Sequence, residues 1–124
     1  MSSGFEADVL ALLRDEQEVE IETAKSEAGP RHMTTIWVAV DDQDRVLIRS
    51  YRGTTARWYR EAIARPDCRL HVAGRVLDVR AIVADDSDRV AACSDGLRSK
   101  YAGQAGLRSM VSAHLETTLQ LVPR

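Results

Sequence analysis

The run Thr34-Thr35-Ile36-Trp37-Val38-Ala39-Val40 is continuously apolar after Thr35 and rich in β-branched residues. A strand of this kind has no wet face. It must be buried on both sides, as in a barrel or a sheet covered on each face. The polar turn Asp41-Asp42-Gln43-Asp44 follows, and Arg45 to Ser50 returns as a second strand, so the two are expected to form a hairpin.

Four further segments have the period of two that marks a strand with one dry face. Glu18 to Thr23 sets Val19 and Ile21 against three glutamates, and those charges suit a solvated or edge position. Cys68 to Val72 and Val76 to Val83 flank the tight turn Ala73-Gly74-Arg75. On the second of these, Leu77, Val79, Ala81 and Val83 point inward and Asp78 and Arg80 outward. Glu116 to Val122 completes the set, and Ala28 to His32 is a loop by its Gly-Pro signal.

Three helices are expected. Ser3-Gly4-Phe5-Glu6 is a capping box opening a helix that ends near Asp15, with Phe5, Val9, Leu10 and Leu13 on one face. A second helix runs from Ala56 to a stop at Pro66, with Trp58, Ala62 and Ile63 sharing a face. A third is capped by Asp85, Asp86 or Ser87 and reaches Tyr101, with Gly103 as its stop. Gly96 inside it costs about 1 kcal/mol against alanine. Residues 103 to 112 are irregular or briefly helical. The expectation is an α+β fold: six short antiparallel strands closing a small barrel, about three flanking helices, and one domain over residues 1–124.

The net charge of -2 gives no general attraction to nucleic acid or to an anionic membrane. No apolar stretch approaches the roughly 20 residues of a membrane helix. Met1 to Phe5 lacks the basic and apolar regions of a signal peptide. Cys68 and Cys93 have no metal spacing and suit a reducing, cytoplasmic compartment.

Chemistry concentrates in Arg49-Ser50-Tyr51-Arg52-Gly53-Thr54-Thr55-Ala56-Arg57-Trp58, which leaves a buried strand and enters a helix. The unpaired N–H groups and positive dipole end of a helix start favour an anion. Thr54 or Thr55 can cap that helix or donate to a phosphate oxygen. Gly53 allows close approach of a ligand. Arg49, Arg52 and Arg57 carry planar forks that match phosphate. A plain loop with solvated arginines, or arginines paired with the Glu18, Glu20 and Glu22 face, is the competing reading. Converging on a ligand, Arg49 and Arg57 would be replaceable by alanine with weakened binding and little loss of stability. Walker and dinucleotide glycine spacings are absent.

Ile36-Trp37-Val38-Ala39-Val40, Arg49-Ser50-Tyr51-Arg52-Gly53, Arg57-Trp58-Tyr59-Arg60 and the late pair Lys100-Tyr101 together resemble the DUF2255 family. That family sits in the FMN-binding split-barrel superfamily, with pyridoxamine-phosphate-oxidase-like and deazaflavin-dependent reductases. The resemblance spans about Glu18 to Pro123. It implies a split β-barrel homodimer holding FMN, or alternatively the deazaflavin F420, at the subunit interface. It places the cofactor phosphate at Arg49, Ser50, Thr54, Thr55 and Arg57, with Arg52 and Gly53 in the same loop. Met33 to Ile36, including Thr35 and Ile36, would lie beside the ring, and Trp58 near the ring or ribityl chain. The chain departs from the better-known oxidases in lacking the lysine just after the phosphate-loop serine, which Arg57 would have to replace. The implied function is oxidoreduction of a small molecule, with a non-catalytic flavin carrier or a purely structural dimer as alternatives.

The remaining candidates are weaker. His32, His71 and His114 are far apart and lack i, i+4 pairing, so no metal site is expected. Ser50 has no nucleophile elbow. Lys100 and Tyr101 either line a pocket, with the hydroxyl as proton donor, or form a buried ring beside a snorkelling ammonium. No side chain is singled out as a catalytic acid or base.

Overall fold

The computed structural model describes residues 4–124. Helix α1 (Ala7–Asp15) buries Val9, Leu10 and Leu13, the apolar phase of its sequence. Glu6 occupies the cap position without a side-chain cap bond. The expected capping residue, Ser3, lies outside the described residues. Strands β1 (Val19–Ala24), β2 (Arg31–Ile36), β3 (Ala39–Val40) and β4 (Val46–Ile48) follow. A 3-10 turn (Gly53–Thr55) leads into α2 (Arg57–Ala64). Then come β5 (Asp67–Val72), β6 (Arg75–Val83), α3 (Ser87–Lys100), α4 (Leu107–Ser112), a 3-10 turn (Leu115–Thr117) and β7 (Leu119–Pro123).

All seven strands form one antiparallel sheet in the order β2-β1-β5-β6-β7-β4-β3. β2 and β3 are therefore its two edges, yet only Trp37 and Val38 separate them in the chain. Three Cα steps span at most about 11 Å. A flat seven-stranded sheet cannot bring its edges that close, so the sheet curls into a half-barrel with its edges facing each other.

This crossing corrects the expectation of one strand over Thr34 to Val40. The run is apolar throughout because it is handed from one edge of the curled sheet to the other. Its first part pairs with β1, from Val19↔Ile36 to Ala24↔Arg31. Only its end pairs with β4, as Ala39↔Leu47 and Val40↔Val46. The strand count is thus seven where six were expected. The turn between β3 and β4 is built by Asp41, whose carboxylate accepts the Gln43 and Arg45 N–H groups at 3.0 and 2.8 Å.

The main core fills the inside of the curl, with Leu13, Ile21, Val38, Ile48, Leu70 and Leu121 wholly buried. A second core lies under α3 and α4, around Leu47, Cys93, Leu97 and Tyr101. Three local expectations fail. β1 is no edge strand but lies between β2 and β5, and its Glu22 meets His71 at 2.8 Å. Ile63 and Val83 are 43% and 46% exposed, since each sits near the end of its element, beyond the packed layer. His32 belongs to β2, not to a loop.

Candidate functional site

The chain leaves β4 into the interior. Arg49 is 1% exposed and binds only neutral acceptors. Its Nε donates to Thr118 Oγ1 at 2.9 Å, one terminal nitrogen to Ser94 Oγ and the Met110 carbonyl at 2.9 and 2.8 Å, and the other to the Val90 carbonyl at 3.0 Å. No carboxylate neutralises it, and burial holds its pKa below the ordinary arginine value. Arg49 ties β4 to α3, α4 and the segment before β7. The expectation that it is dispensable to the fold is therefore corrected: the side chain is a cross-link within the core.

Ser50 is also committed internally. Its N–H donates to Thr117 Oγ1 at 3.1 Å and its hydroxyl to the Gly53 carbonyl at 2.7 Å. Gly53 has φ +71°, and a Cβ there would lie 2.4 Å from His114 Nδ1, so both conformation and space exclude a side chain. Thr55 donates its hydroxyl to the Arg52 carbonyl at 2.9 Å. Neither Thr54 nor Thr55 caps α2; the cap position is Ala56, with no side-chain bond. The first-turn N–H groups of α2 consequently keep no intrahelical or side-chain acceptor.

Between this segment and the edge strand β2 lies a cavity of about 810 Å³. One wall is Thr34, Thr35, Ile36 and Trp37; the facing wall is Arg49, Tyr51, Arg52, Thr55, Ala56, Arg57, Trp58 and Arg60. Ala105, Gly106 and Met110 close a third side, and Glu18 is the one carboxylate on the lining. Of the residues expected at a site, the fold brings Thr35, Ile36, Arg49, Arg52, Thr55, Arg57 and Trp58 to this cavity. Ser50, Gly53 and Thr54 do not line it; Ser50 and Gly53 instead shape the loop through their bond to each other and the close approach of His114. Because β2 pairs only with β1, the backbone N–H and C=O groups along its other side have no sheet partner.

Most arginines away from this wall pair with a carboxylate; Arg31, Arg65 and Arg108 are exceptions among the described residues. Arg14, Arg45, Arg75, Arg80, Arg89 and Arg98 each meet an aspartate within 2.5 to 3.1 Å. Among the described residues, the side chains of Arg52, Arg57 and Arg60 have no hydrogen-bond or ion-pair partner. Arg60 was not among the expected site residues. Its signal was its i, i+3 spacing from Arg57, which puts both on one helical face. Tyr51, Trp37 and Gly106 were also missed, the last because only the fold brings it to Tyr51.

Two clusters hold the walls in place. Glu61 on α2 is 7% exposed and accepts from Thr23 Oγ1 at 2.8 Å, while both of its oxygens lie 3.1 Å from His32 Nδ1. Burial raises its pKa, but the His32 and Thr23 hydrogen bonds and the His32 and Arg57 charges outweigh that and leave it below the usual value. On the opposite side Trp37 stacks on Tyr101, with ring centroids 4.1 Å apart and planes 6° from parallel. The Tyr101 hydroxyl donates to the Gln17 carbonyl and accepts the Val38 N–H at 3.1 Å. Lys100 Nζ donates to the Leu13 and Val38 carbonyls at 2.7 and 3.0 Å. Burial pushes Lys100 down to about 8 and Tyr101 up to about 12. Of the two readings of this pair, the structure gives the buried ring beside a tethered ammonium, which pins the crossing from β2 to β3. Among the described residues, no three His, Cys, Asp or Glu side chains form a metal-ligand cluster.

A family model described as an uncharacterized protein conserved in bacteria (DUF2255) matches residues 9–121. No curated protein matches the chain by sequence. Several solved structures share its fold. The conserved hypothetical protein Rv2991 from Mycobacterium tuberculosis superposes with a TM-score of 0.67 at 14% identity, over 97% of this chain and 81% of that one. HutZ, the heme storage protein from Vibrio cholerae, gives 0.66 at 11% identity, over 98% and 91%. An F420-H2 dependent reductase gives 0.62 at 15% identity, over 86% and 94%.

Proposed function

The chain belongs to the DUF2255 family, and from that membership and the cavity we propose that it binds a phosphate-bearing flavin or deazaflavin, FMN or F420, between β2 and α2. The observation that carries this reading is the trio Arg52, Arg57 and Arg60 on one cavity, their side chains without hydrogen-bond or ion-pair partners among the described residues, in a chain of net charge -2. A guanidinium left free among paired ones suits an anionic ligand, and the open start of α2 adds N–H donors and a positive dipole end. Arg52, Arg57 and the first turn of α2 would hold the phosphate. Arg49 would contribute uncompensated charge from below while staying in its own hydrogen bonds.

The ring has a matching wall. The free edge of β2 over Thr34 to Ile36 offers backbone donors and acceptors to a planar heterocycle, and Trp37 offers an aromatic surface held flat by Tyr101. A cavity of this volume lies within the range of small-molecule sites. When bound, such a cofactor supplies hydride transfer, and the protein contributes binding, orientation and shielding from water.

The function is then oxidoreduction of a small molecule by a split-barrel protein acting as a homodimer in the cytoplasm. The two free, buried thiols Cys68 and Cys93 agree with a reducing compartment. The test is titration of the purified protein with FMN and with reduced and oxidised F420, followed by fluorescence. Saturable binding that Arg57→Gln weakens supports the site. NAD(P)H oxidation, or F420H2 oxidation with an acceptor, separates an enzyme from a carrier. Failure of every one of these ligands to bind would leave a structural dimer as the better reading.

A further inference from the structure

Arg57 has an acidic residue at pairing distance along its own helix and does not use it. Three arginines elsewhere close on an acid three or four positions away, Arg45 on Asp41, Arg89 on Asp86 and Arg98 on Asp95, at 2.6 to 3.1 Å. Arg57 and Glu61 have the same i, i+4 spacing on α2, which makes two helical side chains neighbours. Among the described residues no ion pair joins them. The Glu61 carboxylate is turned to the sheet instead. It accepts the Thr23 hydroxyl of β1 at 2.8 Å, and both of its oxygens lie 3.1 Å from His32 Nδ1 of β2. An ionised carboxylate only accepts, so Nδ1 carries the proton in this contact. Burial opposes ionisation of Glu61, yet the His32 and Thr23 bonds keep its pKa below the usual value, and it is charged at neutral pH. Buried charge-assisted hydrogen bonds outweigh an exposed ion pair of this spacing, which is why the sheet wins the carboxylate. Arg57 acts on Glu61 only as a charge without contact. Arg65, one turn the other way, places its charge on Asp67 and Cys68 and not on Glu61. Deprived of its sheet donors, a buried carboxylate is costly, and the cation Glu61 already feels is Arg57.

Resting on the proposed cofactor site, we infer that His32 and Thr23 are positioning residues for its anion end: they hold the Glu61 carboxylate on the sheet and so keep Arg57 open to the phosphate of the ligand. Neither residue lines the cavity, and neither does Glu61. They act through a competition for one carboxylate. If Glu61 turned to Arg57, the guanidinium would be neutralised and its fork occupied.

The experiment measures dissociation constants for FMN and for F420, with urea midpoints, for the wild-type chain, His32→Leu, His32→Asn and His32→Leu combined with Glu61→Gln. His32→Leu should weaken binding of whichever ligand the wild type takes by about fivefold. His32→Asn keeps an N–H donor near the place of Nδ1 and should stay within about twofold of wild type. Adding Glu61→Gln to His32→Leu removes the competing charge and should restore the affinity to within about twofold of wild type, even in a less stable protein. A double variant that binds no better than His32→Leu, or a folded His32→Leu chain that binds like the wild type, overturns the inference while the cofactor site stands. Where His32→Leu does not fold, Thr23→Val, alone and with Glu61→Gln, makes the same comparison with only a hydroxyl removed. Unfolding reads the pairing without any ligand: Arg57→Gln should leave the wild-type midpoint in place and lower that of His32→Leu, where it breaks the new ion pair. If neither ligand binds the wild type, the cofactor reading falls, and an equal effect of Arg57→Gln in both backgrounds then overturns the positioning role as well.

Discussion

Arginines that look alike in the sequence have opposite roles here. Arg49 and Arg57 lie eight positions apart in one basic segment, yet one is sealed in the core and the other is exposed on the cavity. Arg49→Ala removes four hydrogen bonds and leaves the Met110 and Val90 carbonyls without that donor, so a loss of about 2–4 kcal/mol is expected in urea unfolding. Arg57→Gln should leave the unfolding midpoint in place and raise the cofactor dissociation constant about tenfold. Glu61 gives a second test at this scale. Its folded pKa lies below the ordinary 4.5, so its contribution is complete above that value and is lost as pH falls through the folded pKa. Glu61→Gln should lower stability at pH 7 and flatten the decline of the urea midpoint below about pH 4.5. An unchanged acid slope would show that the carboxylate is not held ionised by His32 and Thr23.

At the scale of elements, α3 shows why a residue that weakens a helix is used inside one. A Cβ at Gly96 would lie 2.8 Å from the Cβ of Ala39, so the glycine lets α3 sit directly on the short edge strand β3. Helix propensity alone favours Gly96→Ala by about 1 kcal/mol. The contact is between rigid atoms with no flexible end to move aside, so overpacking should win and the variant should lose about 1–3 kcal/mol in thermal or urea unfolding. A gain in stability would mean that α3 can back away from the sheet at no cost. Strands β1, β4, β5 and β6 were legible in the sequence within a residue or two, because alternation reports locally which side of a strand is dry; β2 and β7 each begin three residues from the expected start. Val19, Ile21, Leu70, Val79 and Leu121 are buried as their phase requires. The break at Trp37 and Val38 was not legible, since an apolar run buried on both faces reads the same whether it stays beside one partner or crosses between two.

For the whole molecule, the curl of the sheet buries titrating groups whose pull on stability is opposed at alkaline pH. Folded Lys100 gives up its proton near 8, against 10.5 for an ordinary lysine. Between those values the unfolded chain binds more protons, so this group makes stability rise with pH. The buried thiols Cys68 and Cys93 are held at about 11 against an ordinary 9, and Tyr101 at about 12 against 10. From pH 9 upward the unfolded chain loses those protons first and stability falls. A shallow rise from pH 8 to 9 followed by a decline is expected in the urea midpoint. Lys100→Met should abolish the rise and spare the decline, whatever its effect on the baseline. Among the described residues no helix is long and apolar enough to cross a membrane.

By itself the sequence determined the local grammar of the chain: dry and wet faces, most turns, and a basic loop entering a helix. Each of these is set by residues within a few positions of one another. The tertiary structure alone decided which strands are neighbours, that β2 and β3 are facing edges, and which arginine meets solvent. Arg49 is buried by Ser94, Met110 and Thr118, between 45 and 69 positions away. Such contacts depend on how the sheet closes, and no short-range pattern of residues encodes that.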